Sequence, residues 1–330
     1  MRAAVVTEFG PILSHKLGSL PDPAPGAGEV LVTIKATAVN YVDALVVTGK
    51  YQFLPERPFA PGKLPAGVVG ELGAGVRELK IGDRVLALAE QGGYAERIAV
   101  PARACFKLPP AMSFVDAAAM ALVYDTAWFA LRERARLQAG ESVLVLGSTG
   151  GVGLAAIQLA KALGAKVLAG VANPKKRALA VSAGADAVVD LSQENLRDAL
   201  RQQVFRHNGG NGVDIVLDPV GGDAFDAALR ALAWRGRLVV IGFAAGRIPT
   251  VKANYLLLKN IEVSGLQISD YRKRAPDLMA QCMGEIFALY EAGKLRPAPT
   301  VTQPLADFAQ ALQDVVDRRV AGRVVLVQNS

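Results

Sequence analysis

The stretch Ser142-Val143-Leu144-Val145-Leu146-Gly147-Ser148-Thr149-Gly150-Gly151-Val152-Gly153, continuing as Leu154-Ala155-Ala156-Ile157-Gln158-Leu159-Ala160-Lys161-Ala162-Leu163-Gly164, decides the fold. Its apolar opening reads as a buried parallel strand. The glycines then make a tight turn, and an amphipathic helix of about three turns runs to Gly164. Lys166-Val167-Leu168-Ala169-Gly170 follows as a second strand. Together these form a βαβ unit, with glycines where a pyrophosphate would approach the backbone and the helix N-terminus. The spacing is Gly147-x-x-Gly150-x-x-Gly153, not the commoner G-x-G-x-x-G. A tight turn without a ligand competes, but strand, turn, helix and strand occur in the order the motif needs.

Working outward, 330 residues exceed one ordinary core and imply two domains. Residues 1 to about 120 read as short strands broken by turn signals such as Pro61-Gly62, Gly73-Ala74-Gly75 and Gly82-Asp83, a pattern that suggests a small barrel-like β domain. Glu29 to Val39 is its long strand. From about Ser113 the pattern turns helical, and residues 121 to 258 alternate strand and helix, which implies a doubly wound parallel sheet. Val188–Asp190, Val213–Asp218 and Arg237–Gly242 are further strands of it. The tail adds helices at about 276–291 and 307–317 and a strand at 322–327. It breaks the alternation and is expected to rejoin the first domain.

The composition excludes several function classes. Two cysteines, Cys105 and Cys282, make no disulfide framework and fit a reducing compartment. The N-terminus meets Glu8 too early for a signal peptide, and Ala117–Val123 is too short for a membrane span; a soluble, cytoplasmic protein without a membrane partner is expected. The net charge is +7, yet the longest basic cluster is Lys175-Lys176-Arg177 and no aromatics interleave with it. Nucleic acid is therefore not expected as a main partner, while an anionic cofactor or substrate fits. With His15 and His207 the only histidines, neither at ligand spacing with a cysteine, no metal site is expected. No Ser-His-Asp arrangement presents itself either.

Several segments carry a family resemblance: Ala38-Val39-Asn40-Tyr41-Val42-Asp43, Gly82-Asp83-Arg84-Val85, Gly92-Gly93-Tyr94-Ala95-Glu96, Ala139–Val145, the glycine turn, Asp218-Pro219-Val220-Gly221-Gly222 and Gly322-Arg323-Val324-Val325-Leu326. In these the chain resembles the zinc-free medium-chain dehydrogenase/reductases of the quinone oxidoreductase, or zeta-crystallin-like, family. The resemblance implies an α/β fold, a Rossmann doubly wound parallel sheet plus a GroES-like β-barrel catalytic domain. The catalytic domain would take residues 1–121 and 259–330, and the NADP-binding domain residues 122–258. It further implies hydride transfer from NADPH to a quinone, or alternatively to an activated C=C bond of a haloacrylate, enone or enoyl thioester. A homodimer is common in the family. A non-enzymatic, RNA-binding crystallin-like role belongs to another class and is opposed by the intact cofactor signals.

The residues themselves bear on the cofactor. The second strand ends at Gly170-Val171-Ala172-Asn173 with no acid to take the ribose hydroxyls, and Pro174-Lys175-Lys176-Arg177 follows. A carboxylate would repel a 2′-phosphate and a cationic cluster would bind it, so NADPH is expected. Together with the resemblance, this implies cofactor contacts from Thr126, Ser148, Thr149, Gly150, Gly151, Val152, Asn173, Lys176, Arg177, Val220, Gly242, Phe243 and Arg318, of which Lys176, Gly242, Phe243 and Arg318 rest on family positions. Without a Lewis acid, electron-poor acceptors are the better substrates, with position and hydrogen bonds from the protein. By the resemblance, the Asn40 amide would donate to a substrate carbonyl, and Tyr51 would lie beside the cofactor. Tyr124 is expected near the same site, and Asn260 where the chain would re-enter the catalytic domain. Two positions depart from the family pattern: Leu64 stands where the family often has an acid, and Leu45 where it has a second tyrosine.

Overall fold

The computed structural model describes residues 1–328. The chain divides into two compact units, Met1–Leu122 with the segment from Pro299 onward, and Val123–Ala298.

The first unit opens with an antiparallel ribbon of β1 (Arg2–Val5) and β2 (Lys16–Ser19). The ten-residue β3 (Glu29–Ala38) leads into a short helix, α1 (Tyr41–Val47). Four strands follow: β4 (Ala66–Leu72), β5 (Arg84–Ala87), β6 (Arg97–Pro101) and β7 (Cys105–Lys107). Alternation along β3 puts Val30 and Val32 on one face, where they meet Val69, Val85 and Val100 in a closed apolar cluster. Then comes α2 (Phe114–Trp128), which from Val123 belongs to the second unit and widens there into a π-helical segment at Phe129–Arg134. By length and composition this 21-residue helix would cross a membrane, but 78% of its apolar window is buried, as in a core helix.

The second unit holds β8 (Ser142–Val145), α3 (Gly151–Ala162), β9 (Lys166–Val171), α4 (Arg177–Ser182), β10 (Ala187–Asp190), α5 (Leu196–His207), β11 (Val213–Asp218), α6 (Gly222–Ala231) and β12 (Leu232–Val240). These are followed by α7 (Ala253–Lys259), β13 (Glu262–Gly265), α8 (Ile268–Arg274) and α9 (Pro276–Glu291). The six strands are all parallel in the order β10-β9-β8-β11-β12-β13. This is the expected doubly wound Rossmann sheet. Leu144, Leu168, Val216, Leu238 and Phe225 are fully buried at its centre. The order reverses between β8 and β11, and the crevice beyond the strand ends at such a reversal is where ligands bind in open α/β sheets. His207 is the last residue of α5.

Finally β14 (Thr300–Pro304), α10 (Phe308–Val316) and β15 (Arg323–Val327) rejoin the first unit. Its seven-stranded sheet runs β14-β15-β3-β4-β5-β7, with β6 on β3. The chain thus returns at Pro299, not at 259 as expected. The physical reason is that β13 pairs with β12 as a sixth strand. Beyond it, Arg272 forms a buried ion pair with Asp125 at 2.6 Å, and Trp128 Nε1 donates to Glu285 at 2.6 Å. These bonds hold α8 and α9 in the second unit.

Candidate active site

In the second unit the glycine turn is built by close approach. Gly147 has φ +57, and Gly150 caps α3 with no side-chain hydrogen bond to the helix. The first backbone N–H groups of that helix therefore lack a side-chain cap. A Cβ on Gly153 would stand 2.3 Å from the Gly147 carbonyl oxygen, so the helix can lie against the turn only with glycine there. Ser148 is buried and its Oγ donates to the Gly170 carbonyl at 2.7 Å, which pins the turn to β9. Thr149, Gly151 and Val152 are half-buried, and Gly150 is exposed.

Past β9, Asn173 caps a single 3-10 turn, its Oδ1 accepting from the Lys175 N–H at 3.1 Å, with Pro174 in the first turn. Lys175 and Arg177 are exposed and Lys176 is half-buried. No carboxylate precedes them at the end of the strand.

Next to the glycine turn, the end of β11 is organised by Asp218. Its Oδ1 accepts from the N–H groups of Val220 (2.8 Å) and Gly221 (2.9 Å), while its buried Oδ2 has no partner among the described residues. Burial raises its pKa, and the two backbone N–H groups oppose that. Residues 242–247 lie along this segment: Ala244 N–H donates to Pro219 O and Ala245 N–H to Val220 O. Phe243 is 41% exposed, so it is not an ordinary core residue. Tyr124 is buried, and its hydroxyl donates to Arg296 O at 2.7 Å and lies 3.0 Å from Gln158 Oε1. Thr126 is buried, with its Oγ1 3.3 Å from Asp125. Asn260 has φ +52 and ends α7 inside the second unit; it is a helix cap and not a point of re-entry.

In the first unit Asn40 begins α1. Its backbone N–H donates to Asp43 Oδ2 at 3.0 Å, the reciprocal bond of a capping box. Both protons of its amide are committed, to Ala38 O at 3.1 Å and to Asp43 Oδ2 at 3.3 Å, and its Oδ1 accepts from Arg323 at 2.7 Å. With these bonds the Asn40 amide is engaged within the first unit. Asp43 also accepts from the Tyr94 hydroxyl at 2.9 Å. Burial raises the Asp43 pKa, against the nearby Lys63 charge and the hydrogen bonds from Tyr94 and Asn40. The same burial, with Asp43 alongside, pushes the Tyr94 phenol well above its ordinary value.

Tyr51 is half-buried and meets Phe53 edge-on at 6.2 Å. Lys63, which the sequence did not single out, has its Nζ 5.6 Å from the Tyr51 ring centroid. The two departures are apolar in place: Leu45 is half-buried, and Leu64 is fully buried with φ +51. Arg318 follows α10 in the left-handed region, φ +58.

Two family models match this chain: residues 26–110 match the alcohol dehydrogenase GroES-like domain, and residues 151–283 match the zinc-binding dehydrogenase model. Quinone oxidoreductase-like protein 2 of Rattus norvegicus is 37% identical over 327 residues, covering 98% of this chain and 91% of the relative. The chain belongs to the zinc-free quinone oxidoreductase family of medium-chain dehydrogenase/reductases. A mycobacterial protein of the same architecture, solved in complex with NADPH, superimposes with a TM-score of 0.91 at 33% identity, over 99% of this chain and 100% of that one. Phthioceranic/hydroxyphthioceranic acid synthase of Mycobacterium tuberculosis is 32% identical over 96% of this chain, which matches 15% of that much longer protein.

One of the matching models is named for zinc, but the residues of this oxidoreductase do not fit the metal. Among the described residues no three His, Cys, Asp or Glu side chains gather as ligands. His15 is buried beside a 3-10 turn, Cys105 lies on β7 and Cys282 is buried in α9. A dinucleotide is a different matter: an uncapped helix start, a turn that a Cβ would fill and a cationic segment after β9 are the features it needs.

Proposed function

We propose that this oxidoreductase is an NADPH-dependent quinone reductase that works without a metal. When bound, NADPH supplies the hydride. The pyrophosphate takes the backbone N–H groups of Gly151 and Val152 at the start of α3, with Ser148, Thr149 and Gly150 lining the turn, because the Ser148 and Gly150 N–H groups are spent on Gly170 O and Gly147 O. Asn173, Lys176 and Arg177 receive the 2′-phosphate, and Thr126, Val220, Gly242 and Phe243 border the nicotinamide half. Tyr51 borders the acceptor in the first unit, while Asn40 holds the structure that carries it. The observation that carries the cofactor choice is the end of β9, where Asn173 and three successive cations stand and no acid does.

The acceptor must be electron-poor, because no Lewis acid polarises it. A two-electron hydride bonds to a carbon conjugated with a carbonyl, the π pair moves to the carbonyl oxygen, and solvent supplies the proton that completes the product. The second reading is reduction of an activated C=C bond, which presents the same conjugated carbon to the hydride. We also propose a cytoplasmic homodimer. Support comes from β13 at the edge of the six-stranded sheet, with Leu257 and Leu258 of the preceding helix 78% and 74% exposed. The test is NADPH oxidation by the purified protein with a naphthoquinone and with 2-chloroacrylate, NADH serving as control. Quinone turnover with NADPH supports the first reading, acrylate turnover the second, and equal use of NADH refutes the phosphate site.

A further inference from the structure

Phe59–Ala66 are eight consecutive buried residues, and one of them is a lysine. The Lys63 side chain is 4% exposed. A buried ammonium is costly unless it is paired and hydrogen-bonded. Lys63 donates to Glu90 Oε2 at 2.7 Å and to the Glu90 carbonyl at 2.9 Å. Those bonds use two of its three protons; among the described residues no oxygen or nitrogen takes the third. The charge lies 5.6 Å from the centroid of the Tyr51 ring. Its backbone is held on both sides, since Leu64 N–H donates to Ala89 O at 3.0 Å and Gly93 N–H to Gly62 O at 2.9 Å. The ring of Tyr94 lies against Gly62, where a Cβ would be 2.2 Å from Tyr94 Cδ1.

The ammonium thus stands beside Tyr51, the residue proposed to border the acceptor, with one N–H left over from its bonds to Glu90. Asn40 has both amide protons committed, so the oxygen on which charge gathers needs another donor. We infer that Lys63 is a catalytic residue, donating its third N–H to the acceptor's carbonyl oxygen as the hydride arrives. This rests on the reductase reading above and deepens it. As the hydride pair bonds to the conjugated carbon, the displaced π pair collects on that oxygen as an enolate, which for a quinone becomes the quinol when solvent moves a ring C–H proton to oxygen. Lys63 holds the charge through its N–H; solvent then protonates the product, and the ammonium keeps its proton. Glu90 fixes the ammonium in place before and after. The substrate class that follows is a conjugated carbonyl, either a quinone or an α,β-unsaturated ketone or thioester.

The test compares the wild type with Lys63→Met and Lys63→Arg, measuring kcat and KM for a naphthoquinone and an enone, NADPH affinity by fluorescence, and Tm. With Lys63→Met, kcat is expected to fall about 100- to 1,000-fold, the loss typical of removing one oxyanion donor. NADPH affinity should stay within about twofold, and Lys63→Arg should recover part of kcat. Turnover within twofold of wild type in a folded Lys63→Met would overturn the inference while leaving the reductase reading intact. A wild type inactive with every acceptor would overturn both. If Lys63→Met does not fold, Lys63→Met/Glu90→Leu removes both charges together, and the same loss of kcat, or its absence, decides.

Discussion

Replacing Gly153 by alanine separates helix propensity from close packing. At an exposed helical site, glycine to alanine stabilises by about 1 kcal/mol. Here the new Cβ would lie 2.3 Å from Gly147 O, 2.5 Å from Ser148 Cα and 2.9 Å from Gly147 C, against ordinary contact that begins at 3.4 Å. All three atoms are backbone, so no flexible side chain can give way. The turn must move by about 1 Å, against the Ser148 bond to Gly170 O and the Gly150 N–H bond to Gly147 O. Overpacking of this kind costs about 1–3 kcal/mol. The expected outcome is a net loss of about 1–2 kcal/mol, the reverse of the propensity rule. Both tryptophans, Trp128 and Trp234, lie in the second unit, so tryptophan fluorescence in a urea titration reports on the unit that carries the change. The same shift misplaces N–H groups proposed for the pyrophosphate. Losing one hydrogen bond to a charged group, about 1.5–3 kcal/mol, weakens NADPH about 10- to 100-fold in a fluorescence titration. A variant that gains about 1 kcal/mol and binds NADPH as before would refute the close-approach argument.

The remaining expectations concern charge and titration. Lys176→Ala should raise KM for NADPH about 10- to 100-fold by losing one charge-assisted phosphate bond, while KM for NADH stays unchanged in the same oxidation assay. Asp218→Asn gives a pH-dependent result. Burial raises the folded-state pKa of Asp218 above its ordinary value, so the folded state holds the proton more tightly than the unfolded chain does. Below the ordinary aspartate range the carboxyl is protonated in both states, and its ionisation then costs the wild type stability as pH rises through the folded value. Asparagine does not ionise, so the urea midpoint of the variant relative to wild type should climb from about pH 4 upward. A difference that is flat with pH would refute the assignment. The thiols should be inert, because burial pushes Cys105 up to about 12 and also raises Cys282. Labelling by a disulfide reagent at neutral pH should therefore wait for unfolding, and rapid labelling of the native protein would contradict it.

The parts legible in the sequence are those whose local pattern and packing agree. The βαβ unit around Gly147–Gly153 carries its own periodicity, turn glycines and helix stop, and α9 begins at a proline in its first turn. Helix α1 was hidden because Val42, Val46 and Val47 continue the β-like character of the strand before it. What starts the helix is the Asn40-x-x-Asp43 capping box, a spacing visible in the sequence but weak without the buried Tyr94 that confirms it. The return of the chain at Pro299 was hidden because Glu262-Val263-Ser264-Gly265 is too short and polar to read as a strand. Only pairing with Arg237–Val240 makes it one. Lys63 was hidden because bulk charge reads each lysine as surface, and only the burial of all its neighbours singles it out.

The polar groups of the first unit divide their work in a way that orders their roles. Arg323 on the last strand donates to Asn40 and to the Ala119 carbonyl; Asn40 and Tyr94 both donate to Asp43. This chain of bonds is buried, and each member spends its capacity on another part of the protein. Such a network fixes shape and leaves little donor capacity to spend on a ligand. Its output is the position of the Tyr94 ring, which packs on Gly62 so closely that no side chain fits between them. Lys63 is the next residue. The asparagine that the sequence pointed to thus reaches the chemistry at one remove: through Asp43, Tyr94 and Gly62 it sets where the buried ammonium stands.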